Sequence, residues 1–157
     1  MIARGRGRKR RRGIAAVEAA LTFPLLLTIL VGLWEVGRLV EVKQVLVNAA
    51  REGGRQASIG TKTAAQIQAD VLNYIRLDGL STQGAGVTVT NLTSPSVVDP
   101  SQAAQLDRIR VTVTIPFDSV KLSLLNRVYA APTLSASSEW KSMKDLPVDF
   151  SAVIPIY

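Results

Sequence analysis

The sequence predicts an α+β chain: a long N-terminal helix, transmembrane then amphipathic, plus a second helix packed on a small antiparallel sheet of about three strands. Three observations carry this. An uncharged apolar run follows directly on an arginine-rich start, helical spacing of apolar residues persists beyond that run, and the second half of the chain changes to a period of two.

The basic start comes first. Of 19 Lys and Arg residues, seven lie before Gly13 (Arg4, Arg6, Arg8, Lys9, Arg10, Arg11 and Arg12), which leaves 12 downstream against 12 Asp and Glu. The net charge of +7 therefore belongs to residues 1–13 alone. Clustered Lys and Arg would suit a nucleic-acid partner, but a chain cut after Gly13 is close to neutral, so none is expected. A positive cluster beside an apolar run instead holds that end of the chain in the cytoplasm. Arg11-Arg12 within a longer basic run does not specify a twin-arginine signal.

The apolar run sets the membrane span. Ala19 to Trp34 is uncharged over 16 residues, and at ~1.5 Å per residue it covers only ~24 Å, short of the ~30 Å hydrocarbon layer. Starting at Ile14 extends it to ~31 Å, which places Glu18 within the span about one turn from the cytoplasmic edge. A carboxylate at mid-membrane costs ~2.5–3.5 kcal/mol and less near the interface, so Glu18 calls for a partner or for water. Ala15 and Ala19, like Ala16 and Ala20, repeat at a spacing that lets helices approach closely in lipid. Pro24 removes one helical donor and predicts a kink near residues 20–24. No small-residue cleavage site follows the run, where Gly32-Leu33-Trp34-Glu35-Val36 is bulky, so the helix is expected to persist in the mature protein.

Beyond Trp34 the helical spacing continues. Val36, Leu39, Val40, Lys43, Leu46, Val47 and Ala50 fall on one side, and Gly53-Gly54 is expected to weaken or end the helix before Gly60. A second helix starts at Thr63, where Gln66 completes a capping box; Ile67, Val71, Tyr74 and Ile75 form its inner face and Asp78-Gly79 its stop. Strands follow at Val87–Thr90, at Ile109–Ile115 and at Leu134–Trp140, with an exposed loop at residues 93–105. The last stretch, with Pro147 and Pro155 among apolar residues, is expected to dock as an edge segment.

The side chains that do chemistry are scarce. There is no cysteine and no histidine, which removes disulfides, thiolate metal sites and the usual general base at neutral pH. Asp99 and Asp107 flank a loop without EF-hand spacing and read as solvated turn acids, so no metal is expected. Asn91-Leu92-Thr93 fits a glycosylation triplet, and the serines of residues 135–138 have no base beside them. Neither an enzyme nor a cofactor is expected.

Four stretches together resemble a known family: Arg11-Arg12-Gly13-Ile14-Ala15-Ala16-Val17-Glu18, Leu21-Thr22-Phe23-Pro24-Leu25-Leu26-Leu27, Trp34-Glu35-Val36-Gly37-Arg38 and Asn48-Ala49-Ala50-Arg51-Glu52-Gly53-Gly54-Arg55. They are similar to the TadE-like pseudopilins of the tight-adherence (Tad) pilus, a branch of the type IV pilin superfamily, over about residues 11–57. The resemblance implies a minor pseudopilin cut by a prepilin peptidase between Gly13 and Ile14, with Glu18 completing the processing site. It implies partners among other pseudopilins, the pilin and the assembly platform of the inner membrane. The C-terminal domain would then be periplasmic. Ala19 stands where many relatives carry an aromatic residue, which argues against the major pilin.

The expected organisation is a basic leader at residues 1–13, a transmembrane helix at 14–35 and an extracytoplasmic α+β domain at 36–157 whose helical stalk spans 36–59. Two functions fit it: a structural pseudopilin, or an uncleaved single-pass membrane protein with an extracytoplasmic binding or scaffolding domain.

Overall fold

A computed structural model describes residues 6–117 and 133–144, with side chains from residue 13 onward. The elements in order are α1 (Arg6–Ile59), α2 (Ala64–Leu77), β1 (Gly86–Asn91), a short 3-10 turn at Pro100–Gln102, β2 (Arg108–Pro116) and β3 (Thr133–Lys141). This is the α+β arrangement expected from the sequence. The chain divides into two compact units, Met1–Arg38 and Leu39–Tyr157. The predicted docking of the C-terminal stretch falls on residues 145–157, outside the described residues.

The first unit holds the apolar part of α1. Leu21, Phe23, Leu25, Leu30 and Leu33 are exposed by 61 to 73%, so this face has no protein cover within its unit. It is one helix long and apolar enough to cross a membrane. The helix continues through Pro24. Two hydroxyls turn inward along it: Thr22 Oγ1 donates to the Glu18 carbonyl at 2.9 Å, and Thr28 Oγ1 to the Pro24 carbonyl at 2.8 Å. Both threonines thereby bury their donors on their own backbone, where lipid offers no acceptor.

The second unit carries the core. β1, β2 and β3 form one antiparallel sheet in that order, with Val89 opposite Val111 and Ile109 opposite Trp140. Alternation sends Ile109, Val111, Val113 and Ile115 inward, against Val42, Leu46, Ala49 and Ala50 of α1 and Ile67, Val71 and Ile75 of α2. The outer face is polar. There Arg108 and Arg110 both bind Glu139, and their hydrogen bonds, Arg108's first, hold its carboxyl below the usual range.

α2 is delimited as the sequence predicts. Thr63 Oγ1 accepts from the Gln66 N–H at 3.4 Å, Gln66 Oε1 accepts from the Thr63 N–H at 3.0 Å, and Gly79 follows the C-cap with φ 77°. The turn that leads into β2 uses Leu106, the one non-glycine residue with positive φ (65°) among the described residues; its N–H donates to the carbonyl of Ser142, just beyond β3.

The inner face of α1 includes Leu46 and Ala50 of the expected side but differs in the rest. Val36, Val40 and Lys43 are exposed, whereas Val42, Leu46, Ala49, Ala50, Gly53, Gly54 and Ala57 are buried. Gly53-Gly54 does not end the helix, which runs to Ile59 and turns at Gly60 with φ 71°. The glycines admit neighbours instead. A Cβ on Gly53 would lie 2.7 Å from Val71 Cγ2 and 3.1 Å from Val111 Cγ1, and one on Gly54 would lie 2.2 Å from Trp140 Cδ1. The physical reason is close approach: the glycine pair lets the α1 backbone lie against α2 and the sheet with no side chain between.

Candidate functional site

The residues singled out at the junction of leader and apolar run all lie on α1. Gly13 is helical, and nothing stands within 4 Å of where its Cβ would be. Glycine in a helix interior costs ~1 kcal/mol relative to alanine, so the backbone at this peptide bond is the easiest of its neighbourhood to unwind. Ile14 and Glu18 follow one turn apart, with a rise of ~6 Å between them, and both are exposed.

At ~100° per residue, Glu18, Thr22, Ala15 and Ala19 share one face of the helix, while Val17, Leu21 and Pro24 occupy the other. Ala16 and Ala20 extend the small-residue face on its far flank. The carboxylate therefore sits at the border of a surface without bulky side chains. A neighbouring helix can come close there and meet the acid at short range. The Glu18 side chain makes no hydrogen bond among the described residues; Thr22, one turn on, bonds its backbone carbonyl and leaves the carboxylate free.

Groups in the second unit that suggested chemistry turn out to hold the loops together. Asp99 Oδ1 accepts from the Ala64 N–H at 2.9 Å, a second cap on α2. Asp107 is 5% exposed rather than a solvated turn acid, and its Oδ2 accepts from Asn91 Nδ2 at 2.8 Å and from the Ala104 N–H at 3.1 Å. Asn91 is buried too. Its Oδ1 accepts from the N–H groups of Thr93 and Ser94, so every polar atom of the glycosylation triplet's asparagine is engaged. Among the described residues no three His, Cys, Asp or Glu residues gather where a metal ion would sit.

Sequence reasoning missed one feature. Asn48, Arg51, Glu52 and Arg55 of α1, Tyr74 and Leu77 of α2, and Trp140 of β3 line a groove of about 670 Å³. Within it Arg55 grips Glu52 through two hydrogen bonds of 2.9 and 2.6 Å, and Gln56 adds a third of 3.0 Å. These bonds, Arg55's first, lower the Glu52 carboxyl to about 2. The signal in the sequence was the spacing of four that aligns Lys43, Val47, Arg51 and Arg55.

A family model described as TadE-like protein matches residues 13–55, which include Gly13, Ile14, Glu18, both alanine pairs and the Gly53-Gly54 contact. No curated protein and no solved structure matches the chain.

Proposed function

We propose, from the premise that residues 13–55 make this a TadE-like protein of the Tad pilus system, that the chain is a minor pseudopilin, a structural component needed to assemble the pilus. The observation that carries the reading is the junction itself: a helix too apolar for water, a single acid near its start and a glycine one residue ahead of the apolar stretch.

In this reading the basic leader keeps residues 1–13 in the cytoplasm and the domain beyond residue 35 outside the inner membrane. A prepilin peptidase adds water across the Gly13–Ile14 amide. The leader leaves with a carboxylate on Gly13, and Ile14 gains a cationic amine. The Glu18 carboxylate of one subunit then meets the Ile14 amine of its neighbour, with Ala15 and Ala19 giving the room for that approach. Desolvation offsets much of the attraction, so the pair sets the axial register of the subunits more than it adds stability. The work is mechanical rather than catalytic: the protein has no histidine or cysteine to activate a nucleophile and needs no cofactor.

Mass spectrometry of the membrane-extracted protein tests the processing step. A mature N-terminus at Ile14 is expected; an intact leader would favour the uncleaved, single-pass scaffolding protein instead. Glu18→Gln is expected to insert into the membrane normally yet fail to co-purify with the other pilus components. Normal co-purification of that variant refutes the proposed register.

A further inference from the structure

We propose that Trp34 anchors the end of the membrane span away from the basic leader, seated among lipid headgroups, and thereby sets the depth of the Gly13–Ile14 bond at the other end. Length provides the first argument. Ala19 to Trp34 is uncharged, and from Ile14 to Trp34 the helix rises ~30 Å, the thickness of the hydrocarbon layer with none to spare. Glu35, Arg38 and Glu41 follow within two turns, so charge marks the limit of the apolar stretch. Trp34 is the last residue before that limit.

The indole's own chemistry extends the argument. Trp34 is 64% exposed, and its N–H has no acceptor among the described residues. Thr22 and Thr28, deeper in the span, bond carbonyls of their own helix, whereas the indole N–H stands away from the backbone. Headgroup oxygens supply an acceptor while the ring stays against acyl chains, the level that aromatic side chains favour at a membrane surface. Rotation agrees with this. Trp34 lies ~160° round the helix from Glu18, in line with Phe23, Leu27 and Leu30, all of them exposed. The stripe that carries the anchor therefore turns to lipid, and the Glu18 face turns to a neighbouring helix.

The span thus acts as a ruler with two fixed ends. The arginines of the leader hold one boundary and the indole holds the other, which leaves the helix little room to slide. The anchor itself rests only on α1 crossing a membrane. Its effect on the scissile bond rests on the pseudopilin reading.

Full-length protein is reconstituted in vesicles of phosphatidylethanolamine and phosphatidylglycerol whose acyl chains carry bromine at shallow, middle or terminal carbons. The chain has two tryptophans, so Trp140→Phe leaves Trp34 as the probe; where that variant does not fold, the difference between the unaltered chain and Trp34→Phe gives the same signal. Trp34 is expected to be quenched most by shallow bromines, at ~15 Å from the bilayer centre. Combining Leu30→Trp with Trp34→Leu moves the indole by one turn; it should keep its depth and draw α1 along by ~6 Å. In cells that hold the prepilin peptidase, the fraction of chains beginning at Ile14 should then fall roughly tenfold, whereas Trp34→Tyr, which keeps an amphipathic ring, should be processed like the unaltered chain. Quenching of Trp34 chiefly by terminal bromines, quenching by none of them, a moved indole that sinks with residue 30, or undiminished processing of the moved variant would each overturn the proposal. An unaltered chain seated at the expected depth yet never cut would sink the pseudopilin reading and leave the anchor standing.

Discussion

Gly54 shows how much a missing side chain can specify. Trp140 fills the place a Cβ would take, and the indole, fastened to Ser138, has little freedom to retreat. Gly54→Ala is therefore expected to destabilise the protein by about 1–3 kcal/mol despite alanine's better helix propensity, because overpacking outweighs the ~1 kcal/mol of backbone entropy recovered. Thermal denaturation followed by tryptophan fluorescence checks the direction: a higher melting temperature would show that Trp140 yields. At this scale the sequence was readable only in part. It marks the glycine pair as costly in a helix, but the residue that requires it lies 86 positions away on another element, out of reach of any local pattern. The same holds for Asn91 and Asp107, which look like loop polar groups until the fold turns them on each other.

At the scale of elements, local chemistry did most of the work. Thr63 and Gln66 announce α2 because the capping box is a property of four consecutive residues, and β2 shows itself through strict alternation of apolar and polar positions. Thr63→Ala should lower stability by about 1 kcal/mol and leave the Asp99 contact to Ala64 as the remaining side-chain cap. Urea denaturation monitored by far-UV circular dichroism measures it; no shift in midpoint would mean that Asp99 alone suffices. The inner face of α1 was less legible. Of the expected stripe the fold buries Leu46 and Ala50 but leaves Val36, Val40 and Lys43 exposed, and Val42, Ala49, Gly53, Gly54 and Ala57 complete the inner face. Small residues contribute little apolar weight to a periodicity, yet they let the helix approach most closely, so the pattern found Leu46 and Ala50 and missed Ala49, Gly53, Gly54 and Ala57.

Over the whole molecule, the two units place opposite demands on solvent. The first exposes large apolar side chains along α1, and the second buries its own in a core shared by both helices and the sheet. The full chain is therefore expected to need detergent, whereas a fragment from Leu39 onward should be soluble and fold cooperatively, as size-exclusion chromatography and thermal unfolding would show. Aggregation of the fragment would mean that its apolar face requires the preceding residues. The sheet itself bears on how copies of the chain can associate. Lys43 donates its ammonium protons to the carbonyl of Ser135 on β3, an outer strand among those described. A lysine stationed on that margin discourages another backbone from zipping onto it. Copies of this chain are thus hindered from extending the sheet through β3, the side on which runaway stacking would otherwise begin.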